Sequence, residues 1–197
     1  MLGIFLDTET NGLNPKIHSL VEIAYQLVDL ESGKRIETYS GMIALSEEKW
    51  AASDPESLKI NGFSWEELQK EGKSAEEVAE GMVAQFARFN IKRKEAVFIC
   101  QNPSFDRTFL SQLIEVPRQE MLAWPYHWLD LASMYWALAI ERMKGNNGPP
   151  PWKTGFSKDQ IAAHYKIAPE EKPHRARNGV AHLLLCYEAM LGFTNTQ

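Results

Sequence analysis

Apolar and polar positions change period along the chain, and the changes mark out elements. Leu2 to Leu6 is a short apolar run, closed by acids and then by the turn chemistry of Asn11-Gly12. Between Leu20 and Leu30, the residues Val21, Ile23, Tyr25 and Leu27 alternate with Glu22, Ala24 and Gln26. That period of two predicts a strand. Glu31-Ser32-Gly33-Lys34 then turns the chain into a second expected strand, Arg35 to Ile43, giving a hairpin or meander. Ser74-Ala75-Glu76-Glu77 is a capping-box pattern, followed by Val78, Met82, Phe86 and Phe89 on one helical face. Ala96-Val97-Phe98-Ile99-Cys100 has the length and composition of a short buried strand. Asn102-Pro103-Ser104 ends it and opens a helix carrying Phe105, Phe109, Leu110 and Leu113.

The second half is helical in period. A helix is expected from Leu131 to Met143, then a loop through Gly145-Asn146-Asn147-Gly148-Pro149-Pro150-Pro151. Ser157-Lys158-Asp159-Gln160 is a second capping box. Val180, Leu183, Leu184, Tyr187 and Leu191 form the apolar face of a last helix. Strands first and helices later predict an α/β fold, a mixed central sheet flanked by helices. With 197 residues and no linker or repeat, residues 1–197 are expected to form one domain.

Composition narrows the classes. Hydrophobic residues make up 44% and charged residues 24%, which is globular rather than disordered. No apolar run nears the ~18 residues that a membrane span needs. Met1 to Leu6 reaches Asp7 too soon for a signal peptide and lacks its basic start. Cys100 and Cys186 each lie in apolar stretches, as buried thiols do. A cytoplasmic location is therefore expected. Residues 142 to 177 carry eight basic side chains against Asp159, Glu170 and Glu171, a local +5. With −5 overall, the remainder is −10, so a basic stretch on an acidic protein can meet a polyanion or be a solvated loop region.

Asp7-Thr8-Glu9 sets two carboxylates on one face at a strand end, where mutual repulsion calls for a cation. Hard oxygen donors of this kind suit Mg²⁺ or Mn²⁺, although solvent-exposed acids at a strand end would look the same. Asp106, in Asn102-Pro103-Ser104-Phe105-Asp106, offers a third acid after another short strand. His174, in His174-Arg175-Ala176-Arg177, precedes the last helix.

In this order and spacing, the elements resemble the DEDDh 3′–5′ exonucleases, a ribonuclease H-like family that includes polymerase proofreading subunits, ribonuclease T and oligoribonuclease. Asp7-Thr8-Glu9-Thr10-Asn11-Gly12-Leu13 and the Val21-Glu22-Ile23-Ala24 strand resemble the first motif, and Asn102 to Leu110 the second. Leu58-Lys59-Ile60-Asn61-Gly62-Phe63 lies where the family often has a His-Gly-Ile segment near the substrate. The resemblance implies phosphodiester hydrolysis at a 3′ end of DNA or RNA by two metal ions. It makes Asp7, Glu9 and Asp106 metal ligands, with Asp7 bridging both ions, and makes His174 the base. It also implies substrate contacts from Thr8, Thr10, Asn61, Phe63, Asn102 and Phe105.

The third motif departs from the pattern. Five residues after the histidine the family has a metal-binding aspartate, and here the position holds Gly179. The site is thus expected to be impaired, with space where a carboxylate belongs between Asp7 and Glu9. Gly179→Asp is expected to restore a fourth charge and raise the rate. A disabling substitution, a naturally degenerate enzyme and a recruited ligand are the three readings. His174 is expected on a mobile segment. Trp124, Tyr126, Trp128 and Trp152 are candidate platforms for bases, most of them core and Trp152 the exception.

A catalytically silent nucleic-acid binder of the same fold and a polymerase-associated proofreading subunit are the alternatives. The expected partner is single-stranded nucleic acid or its 3′ end, not a membrane; a homodimer stays open. The chain as given ends at Gln197, six residues past Leu191, so no tail for tethering to a polymerase is expected.

Overall fold

The strand β1 (Leu2–Thr10) is the axis of the molecule in a computed structural model that describes residues 1–193. Its alternation sends Ile4 and Leu6 into one apolar layer and Phe5 into another. Both faces of the sheet are therefore covered. β2 (Leu20–Asp29) runs antiparallel to β1, and β3 (Arg35–Met42) antiparallel to β2, so the expected meander is present. Three short helices follow: α1 (Glu47–Ala51), α2 (Pro55–Asn61) and α3 (Trp65–Glu71). The apolar period had not marked them, because each is too short to show a face. Their starts are nevertheless legible in the side-chain caps of Ser46, Asp54 and Ser64.

α4 (Ala75–Arg88) begins at the expected capping box and buries Val78, Ala79, Met82 and Phe86. β4 (Ala96–Cys100) is wholly buried and pairs in parallel with β1. After it come α5 (Pro103–Leu113), α6 (Val116–Met121) and β5 (Trp128–Asp130), which pairs in parallel with β4. The sheet order is β3-β2-β1-β4-β5, a mixed sheet as expected. β4 and β5 lie between helices, however, so the chain does not simply place strands first.

α7 (Leu131–Lys144), α8 (Pro151–Thr154), α9 (Lys158–His164) and α10 (Ala176–Leu191) complete the fold. α4 and α5 supply the layer over Ile4 and Leu6; α7, α9 and α10 supply the layer over Phe5. Cys100 and Cys186 are free and buried. Among the described residues, no helix is long and apolar enough to cross a membrane.

The uneven length of the two ladders on β1 positions the acids. β1 pairs with β2 as far as Glu9↔Glu22 and Thr10↔Leu20, but with β4 only from Leu2↔Ala96 to Phe5↔Ile99. The crevice beyond the carboxyl ends of parallel strands is where α/β sheets commonly place ligands. Here Asp7 and Glu9 stand at that opening.

Candidate active site

Asp7 and Glu9 share the β1 face that carries Phe5, since side chains two apart on a strand point the same way. α10 covers that face and touches β1 and β2. Its start is fixed by Glu22, whose Oε2 accepts a hydrogen bond from the Ala176 backbone N–H at 2.7 Å. A carboxylate at a helix N-terminus satisfies a free donor and opposes the positive end of the helix dipole. The same anchoring brings Gly179, buried in the first turns of α10, against Asp7.

Asp106 arrives from the other side. Asn102 adopts left-handed backbone, φ 58°, and Pro103 starts α5, which sets Asp106 in its first turn. The Asn102 N–H donates to Asp130 Oδ1 at 3.0 Å, and Asp130 also caps α7. Asp106 is only 4% exposed, and its Oδ1 accepts from Thr8 Oγ1 at 2.8 Å across 98 positions of sequence. The two acidic motifs thus meet because β4 lies beside β1.

Two further charged side chains join them, neither assigned to the site from the sequence. Lys158 is the first residue of α9, set by the Ser157 capping box. Its Nζ lies 2.7 Å from Glu170 Oε2 and 3.5 Å from Asp7 Oδ1. Glu170, in the loop before α10, has a side chain only 2% exposed. Only a weak signal existed, for Lys158 alone: a lysine in the first turn of a helix is disfavoured by the dipole.

The electrostatics report crowding. Burial pushes the Asp7 carboxyl up to about 6, although Lys158 pulls against this. Burial, then the neighbouring Asp7, pushes Glu9 up to about 8. Asp106 is raised well above the usual carboxylate range by burial and by Asp7. Burial works against the charge on Lys158, but Asp7 and Glu170 outweigh it and hold the ammonium above its usual range.

His174 faces this cluster, with Nδ1 3.9 Å from Glu170 Oε1 and a side chain 31% exposed. Its segment contacts the short helices of residues 55–71. The His174 N–H donates to Ile60 O at 3.1 Å. Arg175 pairs through both terminal nitrogens with Glu67, at 2.8 and 3.0 Å, and its guanidinium stacks 3.9 Å over the Phe63 ring. The unmarked helices α2 and α3 are what hold it.

The expected substrate contacts divide. Thr8 and Thr10 are buried and donate to Asp106 and to the Gly12 carbonyl. Asn61 is buried and braces Thr10 O at 2.9 Å, while Phe63 is buried beneath Arg175. Asn102 is exposed and Phe105 partly so. Of the aromatic candidates, Trp124 is core and Trp128 stacks on Phe98, with ring centroids 4.0 Å apart. Trp152 is 57% exposed beside Trp136 and Phe156. Tyr126 is exposed as well, held at the surface over Arg93.

The expectation for residue 179 needs correcting. Gly179 faces Asp7, but the space beside it is filled. A Cβ there would lie 2.1 Å from Asp7 Oδ2. The Asp7 carboxylate itself leans into the volume that an aspartate at 179 would need.

In kind, Asp7, Glu9, Asp106 and Glu170 fit a hard divalent cation, being oxygen donors that are desolvated and short of positive charge. Formally, their four negative charges less the one on Lys158 leave three uncompensated. Among the described residues, no three such side chains stand together at ligating spacing as they lie, Asp7 being turned to Lys158 and Asp106 to Thr8.

A pH dependence follows from Glu9. Its carboxyl titrates near 8 in the fold against 4.5 when free. Between those values the unfolded chain gives up the proton while the folded chain keeps it, so rising pH favours unfolding. At about 1.4 kcal/mol per unit, the metal-free protein is expected to lose a few kcal/mol across that window relative to Glu9→Gln. Mg²⁺ or Mn²⁺ should restore more stability at the alkaline end. Thermal unfolding of both proteins in chelator and in metal checks this, and a difference between them that is flat in pH contradicts it.

No protein-family model matches the chain, and no curated protein sequence does. Solved structures do. The zinc-bound form of E. coli exonuclease I with single-stranded DNA superposes with a TM-score of 0.75 at 17% identity, over 96% of this chain and 41% of that one. The complex of E. coli exonuclease I with a dT13 oligonucleotide gives 0.75 at 16% identity, over the same 96% and 41%. A product-bound exonuclease I gives 0.71 at 16%, over 95% and 42%. The chain therefore spans about two fifths of the length of those proteins. At such identity the likeness establishes architecture: this chain has the ribonuclease H-like fold of exonuclease I.

Proposed function

We propose that the protein is a divalent-metal-dependent 3′–5′ exonuclease acting on single-stranded nucleic acid, by way of Asp7, Glu9, Asp106 and His174. The observation that carries this reading is the meeting of the partly buried acids of β1 with buried Asp106 of α5, through Thr8, at the open end of the β1–β4 ladder. Burial raises all three acids in that crevice and Asp7 raises the other two, an arrangement that is costly for a fold alone and serves a cation. The exonuclease I structures with single-stranded oligonucleotides give the reading its substrate class.

Asp7, Glu9 and Asp106 would hold the metal. Bound there, a divalent ion supplies Lewis-acid polarisation of the scissile phosphate. His174, one third exposed at the rim, takes the proton from the attacking water. Glu170 Oε1 stands 3.9 Å from His174 Nδ1. Trp136, Trp152 and Phe156 form an exposed aromatic patch beside the second motif, joined to it where Gln101 donates to Phe156 O at 3.3 Å. Bases of the incoming strand stack there, next to the basic stretch noted in the sequence.

The test uses 5′-labelled single-stranded DNA and RNA with Mg²⁺, Mn²⁺ or chelator. A metal-dependent ladder shortening from the 3′ end is expected, and its absence with both substrates and both metals ends the reading. His174→Ala should slow the ladder by roughly two orders of magnitude or more, the usual scale of general-base catalysis. Mn²⁺ affinity should change little in that variant. An unchanged rate would move the base elsewhere.

A further inference from the structure

The position of Lys158 has no counterpart in the motifs that suggested the function. We propose that Lys158 is a resident cation occupying one of the site's two cation positions, so that the chain binds a single divalent ion. Glu170 is then its counter-ion, in place of the carboxylate absent at 179. This inference rests on the metal-dependent reading above.

The geometry of the ammonium carries it. An ammonium has three donors and accepts nothing. Three oxygens surround this one: Glu170 Oε2 at 2.7 Å, Asp7 Oδ1 at 3.5 Å and the Gly179 carbonyl at 3.5 Å. The Lys158 side chain is 15% exposed, so the charge lies inside the crevice rather than at its rim. It is held there against the dipole of its own helix, which disfavours a cation in the first turn. Only the acids account for that placement.

Gly179 and Lys158 fit each other. With no side chain at 179, Asp7 leans onto α10 and comes within reach of the ammonium. An aspartate there would meet Asp7 Oδ2 at its Cβ and press a second carboxylate into the same space. Glu170 supplies the missing negative charge from the loop instead. Its side chain is 2% exposed, and its Oε1 has no hydrogen-bond partner among the described residues, although it is turned towards the cluster and His174.

Mn²⁺ stoichiometry tests this without any need for turnover. Free Mn²⁺ is counted by electron paramagnetic resonance during titration, with circular dichroism as the check on folding. Wild type is expected to bind one Mn²⁺ per chain, Lys158→Arg one, and Lys158→Met two. Lys158→Gln, neutral but polar, serves if the methionine variant unfolds, and it too should bind two. A wild type that binds two ions overturns the inference, as does a folded neutral variant that still binds one. If the wild type binds two ions and shortens 3′ ends, only the resident cation is lost. If it binds none and shortens nothing, the metal-dependent reading falls with it.

Discussion

Asp7→Asn should abolish metal-dependent shortening of 3′ ends, with a loss of about a thousandfold or more, corresponding to ~4 kcal/mol of transition-state stabilisation. The change keeps the shape of the side chain and removes its charge at the point where Glu9, Asp106 and Lys158 all feel it. Loss of activity alone could follow from a damaged fold, and the electrostatics separate the two cases. The Asp7 carboxyl is already pushed up to about 6 by burial, and it raises both Glu9 and Asp106. Removing it relieves repulsion, while Lys158 keeps its closer partner, Glu170, at 2.7 Å. The metal-free variant should therefore melt no lower than wild type near neutral pH. An active Asp7→Asn protein, shortening 3′ ends at the wild-type rate, would remove Asp7 from the reactive centre and with it the proposed function.

Gly179→Asp should destabilise the metal-free protein by about 2–4 kcal/mol and bring no gain in rate. Two terms contribute. The new Cβ would lie 2.1 Å from Asp7 Oδ2 and 2.6 Å from Asp7 Cγ, so either Asp7 or α10 must shift. The new carboxylate then adds negative charge to a pocket that already raises its own acids. Against this stands only the removal of a helix-interior glycine, worth about 1 kcal/mol. Gly179→Ala separates the terms, since it carries the Cβ without the charge and should lose less. Chemical denaturation in chelator measures both variants. Equal stability of Gly179→Asp and wild type would mean that residue 179 does not press on Asp7.

The sequence disclosed the parts of the site that come as motifs and concealed those that come as single charges. Strand alternation through Val21, Ile23, Tyr25 and Leu27 gave β2, and both capping boxes form, at Ser74 and Ser157. Asp7, Glu9 and Asp106 follow acidic patterns at strand ends, so the topology could be anticipated to gather them. Lys158 and Glu170 lie in a stretch whose charges add to +5, and a sum does not show which charges face inward. Ser157-Lys158-Asp159-Gln160 was legible as a helix start, but the cap says nothing about where the lysine points. Asn61 and Phe63 were legible as near the site. That they brace it rather than face a ligand depends on Arg175 and Thr10, contacts across more than a hundred and about fifty positions. The helices of residues 47–71 escaped because five to seven residues hold too few turns to reveal a period.

The hydrogen bond from Ala176 N–H to Glu22 has a consequence for the order in which the protein is built. β1 and its neighbours can pair as soon as the first hundred residues are available, leaving Asp7 and Glu9 on an open, hydrated sheet face. Only when α10 docks on Glu22, bringing the Gly179 backbone against Asp7, does the face lose its water and the carboxylates become frustrated. Docking of α10 thus completes the centre and stresses it in the same act. A chain carrying everything up to α9 should already have its sheet, with Asp7 and Glu9 more open to water on the face that α10 covers. Docking of α10 therefore gathers like charge, and a divalent cation bound at the site would favour the docked state.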